Sequence, residues 1–195
     1  MKNKKKMTTL DIVTLPDAIL RQKTEPVTEF DDKLQQLIDT MIETMREAPG
    51  VGLAAPQIGL PLRLAVIETL PDYDEEGEEI EDTRDLYVII NPEVLWTSRR
   101  EVAGIEGCLS IPGYLGEVFR PEAVRIKALD RYGRSFKVRL TDWDARIFLH
   151  EIDHLQGILY IDRLTAKENF WTEEEYKTMM EAEEEAEQQS GGVAK

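Results

Sequence analysis

The chain has 195 residues, 42% of them hydrophobic and 32% charged, a balance that suits a soluble globular domain and not a disordered segment. Its 39 acidic against 24 basic residues give a net charge of −15, which argues against direct nucleic-acid binding, because a phosphate-backbone footprint needs concentrated Lys and Arg. No apolar run approaches the ~20 residues that cross a bilayer, and a single cysteine forms no internal disulfide, so neither a membrane span nor a disulfide framework is expected.

The first residues, Met1 to Met7, are basic but lack the apolar core of a signal peptide and the Arg/Ser-rich look of a transit peptide, so a cytoplasmic location is expected. Asp11 to Val27, with Pro16, Asp17 and Pro26, reads as an extended arm. From Phe30 the pattern changes. Leu34, Leu37, Ile38, Met41, Ile42 and Met45 recur at three- and four-residue steps and predict an amphipathic helix, capped by Asp31 or Asp32 and stopped at Pro49-Gly50. Gly50 to Gly59, GVGLAAPQIG, is too rich in small residues for a long regular element. Arg63–Thr69 and Leu86–Asn91 predict two strands of a hairpin, joined by an acidic, solvated loop from Asp72 to Asp85. Further strands are expected at Val94–Trp96, Ala123–Asp130 and Ser135–Thr141, the last two joined by a turn at Arg131-Tyr132-Gly133-Arg134. A second helix begins near Thr141 or Asp142, where Thr141 and Asp144 look like a capping box, and runs to about Gln156, with Gly157 ending it. Thr172 caps a third, acidic helix that leads to a frayed tail at Ser190-Gly191-Gly192.

The chemistry concentrates on the second helix. His150-Glu151-Ile152-Asp153-His154 is an H-E-x-x-H motif. Residues four apart on a helix lie only about 40° from each other, so the two imidazoles project together and can hold one metal ion. Glu151 sits on the flank of that face, able to take a proton from water and pass it to a leaving amine. Ile147, Phe148, Leu149, Ile152 and Leu155 make the other faces apolar, so the helix is buried and its charged groups need partners. A divalent metal is one such partner; two ordinary hydrogen-bonded histidines are the plainer alternative. Catalytic sites of this type take three protein ligands. One protease class continues H-E-x-x-H-x-x-G-x-x-H, but position 160 is Tyr160, and no third histidine exists. Cys108, the chain's one thiol, is then the best remaining candidate, although a lone cysteine is ordinarily a small buried hydrophobe. Iron(II), zinc, nickel or cobalt suits a His₂Cys set.

Three segments together, GVGLAAPQIG (Gly50 to Gly59), EGCLSIPG (Glu106 to Gly113) and HEIDHLQG (His150 to Gly157), resemble the signature motifs of peptide deformylases in the same order, with a likeness spanning about residues 10–165. The resemblance implies a metal-dependent hydrolase that removes the formyl group from the N-terminal formylmethionine of new polypeptides, with an N-formylmethionyl peptide as substrate. It implies Cys108, His150 and His154 as ligands of one divalent metal, iron(II) in the cell, with zinc, nickel or cobalt able to replace it. It makes Glu151 the proton carrier and assigns oxyanion stabilisation to the Gln57 amide and the Leu109 backbone N–H. Val51, Gly52 and Gly107 correspond to substrate-contacting positions, and Glu106 with Arg120 to an ion pair supporting the cysteine strand. Leu149 stands where the family has glutamine and is expected to face away from the metal. Relatives can dock on the ribosome through a basic C-terminal helix; here eight Glu between 173 and 187 face only Lys177, which disfavours docking on RNA through that helix. The closest rival function is a generic H-E-x-x-H zinc peptidase, and the rival from another class is a non-catalytic metal-binding protein. The expected fold is α+β, with antiparallel sheets packed around a central buried helix carrying H-E-x-x-H, plus an N-terminal and a C-terminal helix. Residues 1–171 are expected to form a single catalytic domain, and residues 172–195 the acidic helix and tail.

Overall fold

A computed structural model of the chain describes residues 9–191 apart from 49, 72, 75, 81 and 82, and of residues 187 and 189–191 the backbone alone. Met1 to Met7, Pro49, Gly192 and parts of the acidic loop therefore lie outside the described residues.

Helix α1, Asp32–Glu47, starts where the Asp31 carboxylate accepts from Leu34 N. Its apolar stripe is inward: Leu34, Ile38, Met41, Ile42 and Met45 are buried. The main sheet has five antiparallel strands in the order β1 (Gly52–Ala54), β2 (Leu64–Glu68), β3 (Leu86–Thr97), β6 (Ala123–Leu129) and β7 (Ser135–Thr141). Strand β2 explains why the sheet is covered on both sides. Leu64 and Val66 join the cluster under α1, while the alternate residues Ala65 and Ile67 join a second cluster with Phe148 and Ile152, and none of these four strand residues is exposed. Phe148 and Ile152 belong to helix α2, Asp142–His154. A smaller antiparallel sheet, β4 (Glu101–Cys108), β5 (Ile111–Pro121) and β8 (Phe170–Thr172), closes over the other side of α2. The expected α+β fold, with antiparallel sheets around a central helix, is what the chain adopts.

Several details differ from expectation. Val94–Trp96 is not a separate strand but the end of β3, which continues through irregular pairing between Ile90 and Glu93. Pro92 has no N–H for the ladder, and Asn91, at φ 49°, pairs instead through its side-chain amide with both backbone groups of Val27. Thr141 is the N-cap of α2, but it makes no side-chain capping bond, and the helix ends at His154 with Leu155 as its C-cap. Gly157, at φ 75°, follows two residues on. The arm includes a short 3-10 turn, Ala18–Arg21, and is tied down by Val13 N to Gln57 O and Leu15 N to Ser110 O. Thr172 does cap α3, Glu173–Gly191: Glu175 N donates to its hydroxyl, and the Glu175 carboxylate accepts from the Thr172 backbone. Among the described residues no helix is long and apolar enough to cross a membrane.

Candidate metal centre

Cys108 ends strand β4 at a bulge, where the pairing with β5 shifts between Gly107 and Cys108. The bulge turns the thiol toward α2, and its Sγ lies 3.3 Å from His154 Nε2. With His150 the three ligand atoms all lie within 4.8 Å of one another. Ligands sharing one tetrahedral ion with bonds of 2.0–2.3 Å stand about 3.5 Å apart, so this donor set fits a divalent metal of the thiolate- and imidazole-binding kind.

The orientation of the rings has identifiable causes. His150 Nδ1 lies 2.8 Å from Glu106 Oε2, which fixes the tautomer and leaves Nε2 for a metal. Burial works against a charge on His150, but its bonds to Cys108 and Glu106 outweigh that and raise its pKa well above that of a free imidazole. Burial and the neighbouring His150 push His154 the other way, and a neutral ring is what a metal requires. Tyr160, the position where the longer protease motif would place a histidine, stacks on the His150 ring at 6.2 Å and donates its hydroxyl to Tyr114 O at 3.1 Å.

Glu106 is itself held. Both its oxygens accept from Arg120 at 2.9 Å, and Oε1 also accepts from Arg146 Nη1 at 2.9 Å. Burial alone would raise its pKa, yet Arg120 and His150 hold the carboxyl well below the usual range. Arg120 reaches on to Asp153, which takes two further bonds of 2.6 Å from Arg163. The Glu106–Arg120 pair expected from the sequence is present, and the structure extends it to residues that sequence reasoning missed. Asp153 owes its burial to these arginines. Arg146, one helical turn before His150, also donates to the carbonyls of Val102, Gly104 and Val118, tying α2 to β4 and β5. The stripe 146, 150, 154 was visible in the sequence, but nothing local distinguished a buried Arg146 from a solvated one.

In front of the ligands opens a cleft of about 380 Å³. Val51, Gly52, Gln57, Gly107, Cys108, Leu109, His150 and Glu151 all line it, so every predicted site residue meets there except His154, which lies behind the wall at 1% exposure. Gln57 Oε1 accepts from Ala54 N at 2.8 Å, which aims the amide NH₂ at Cys108 Sγ, 3.5 Å away, and Ser110 Oγ, 3.3 Å away. Glu151 is buried with Oε2 unpartnered, and burial pushes its pKa up to about 7. Leu149 packs into the cluster between α2 and the main sheet, away from the cleft. Ile105, Ile111, Pro112, Trp143, Ile147 and Glu173, none of them predicted as a site residue, are also in the walls.

Residues 9–170 match the Polypeptide deformylase family. A peptide deformylase of Symbiobacterium thermophilum is 47% identical over 82% of this chain and 68% of its own length, and one of Thermodesulfovibrio yellowstonii is 42% identical over 88% and 99%. The crystal structure of a peptide deformylase from Legionella pneumophila superposes with a TM-score of 0.71 at 44% identity, covering 81% of this chain and 87% of that one. The cysteine and paired histidines on β4 and α2, and these likenesses over most of the chain, lead to one conclusion: the chain belongs to the peptide deformylase family, metal-dependent enzymes of the hydrolase class.

Proposed function

We propose that this enzyme removes the formyl group from the N-terminal formylmethionine of newly made polypeptides, with Cys108, His150 and His154 as ligands of one iron(II) ion that zinc, nickel or cobalt can replace. The observation that carries it is the meeting of a soft His₂Cys ligand set with a buried, unpartnered carboxylate at one cleft. A bound divalent ion supplies Lewis-acid polarisation of the formyl oxygen and makes water acidic enough to attack near neutral pH. Glu151 takes the proton of the attacking water and delivers it to the amide nitrogen as the C–N bond breaks, leaving formate and a free amino terminus. A carboxyl raised to about 7 suits both halves of that transfer. Gln57 Nε2 and the Leu109 backbone N–H donate to the oxygen on which negative charge gathers. Backbone edges at Gly52 and Gly107 take the extended peptide, and the apolar wall from Val51 to Ile147 takes the methionine side chain.

The catalytic unit ends near residue 171 apart from Glu173, which lines the cleft from the start of α3; the rest of α3 is acidic and repels phosphate, so any transient ribosome contact in the cytoplasm uses another surface. The test is formate release from a short formyl-Met peptide by protein prepared without oxygen, with metal analysis of the same sample. Stoichiometric iron, formate production and intact internal bonds are expected; cleavage of internal bonds, or no formate, overturns the proposal.

A further inference from the structure

Gly52 opens strand β1, paired with Ile67 of β2, and is itself buried between the half-buried Val51 and the buried Leu53. Glycine weakens a strand, so its presence there needs a reason. A left-handed backbone is not the reason: among the described residues the glycines with positive φ are 59, 77, 113, 133 and 157. Space is. A Cβ built on Gly52 would stand 2.6 Å from Cδ and 2.8 Å from Cγ of Glu151, and closer still to Oε1. Real Cβ atoms do not approach so near, so one side would have to move. The Gly52 backbone is fixed in the ladder, with Leu53 and Ala54 wholly buried beside it. Glu151 is 4% exposed on a helix packed against β1, so its side chain could retreat only into the cleft.

We propose that Gly52 is a positioning residue for the Glu151 carboxylate: the volume its own side chain would fill is the seat of that carboxylate. This rests on the role proposed for Glu151, and it differs from a substrate contact, the role the resemblance attaches to Gly52. A substrate contact acts on binding. A seat acts on the alignment of the proton carrier, where a shift of about 1 Å costs on the order of 10²-fold in turnover.

The variants Gly52→Ala, Glu151→Ala and the double variant separate these roles by two readouts on metal-loaded protein. In Gly52→Ala, kcat falls about 10²-fold with KM changed less than threefold and metal content intact. Its melting temperature falls by about 2–10 °C, the range of an overpacked core site in a chain of this size. In the Glu151→Ala background the same glycine substitution costs less than about 1 °C, because the atoms it would strike are gone. Should Gly52→Ala fail to fold, recovery of folding in the double variant gives the same answer. A wild-type kcat with raised KM, an equal melting penalty in both backgrounds, or a double variant no better folded than the single one overturns the seat. If wild-type enzyme releases no formate, the assigned reaction fails, and the melting comparison still decides whether Gly52 seats the carboxylate.

Discussion

Behind the His150 ring the carboxylates of Glu106 and Asp153 share their oxygens among Arg120, Arg146, Arg163 and His150, while in front, at the cleft, Glu151 Oε2 is buried with no partner among the described residues. Both groups occupy the same dry interior, and a buried polar atom left unpaired costs about 1–3 kcal/mol. The fold meets that cost in front and avoids it behind. The difference separates frame from reaction face. The rear network can only hold geometry, because its charges are already neutralised by one another. The front keeps an unsatisfied carboxylate oxygen where a transferring proton has to be received.

The strongest test of that division is Glu151→Gln, which keeps size and removes the base. Formate release should fall about 10³-fold, with metal content and melting temperature near wild type. Loss of metal together with activity would make Glu151 part of the frame. The counterpart behind the ring is Glu106→Ala. It leaves Arg146 without its carboxylate and Arg120 with Asp153 alone, and frees His150 Nδ1. Breaking a buried pair from one side costs about 3–5 kcal/mol, and loss of such an outer partner weakens metal binding about 10–100-fold. Denaturant melts and competition with a chelator measure the two effects. A stability within about 1 kcal/mol of wild type would show that the rear charges are not a unit.

Gln57→Ala should be milder in stability and confined to the front. Its amide donors lie at Cys108 Sγ and Ser110 Oγ, beside the position proposed for the oxyanion. Loss of one such donor lowers kcat about 10²-fold with little change in melting temperature. An effect on metal affinity alone would move Gln57 from stabilising the reacting oxygen to supporting the thiolate.

These two faces were unequally legible in the sequence. Helical periodicity was enough to put His150 and His154 together and Glu151 beside them, and it also found α1 and its Asp31 cap. Runs of strand-forming residues bounded by turn signals found β2, the first half of β3, β6 and β7. The hairpin of β4 and β5 escaped because Gly104, Gly107, Pro112, Gly113 and Gly116 interrupt any apolar alternation, although these strands bring the cysteine and Glu106 to the helix. Strands β1 and β8, at three residues each, are too short to carry a period. The front face needs few residues, and the resemblance supplied Gln57 and Leu109. The rear face is tertiary. Arg146 meets Glu106 across 40 positions and Arg120 meets Asp153 across 33, separations at which no local pattern pairs them.

The smallest effect expected is at the outer end of the rear network. Arg163 gives Asp153 two bonds of 2.6 Å, yet its side chain is 42% exposed, whereas that of Arg120 is 3% exposed. Ion pairs open to water and salt contribute about 0–1 kcal/mol, so Arg163→Ala should cost no more than about 1 kcal/mol and should leave kcat within about twofold. Asp153 would keep Arg120 as its partner. Asp153→Ala removes the partner of the buried arginine instead, and should cost clearly more. Raising the salt concentration should shrink the Arg163 penalty and leave the Asp153 penalty nearly unchanged, because solvent ions screen only the exposed pair. If both variants lost the same stability with the same salt dependence, the network would be evenly wet along its length, and burial would not be what divides frame from reaction face.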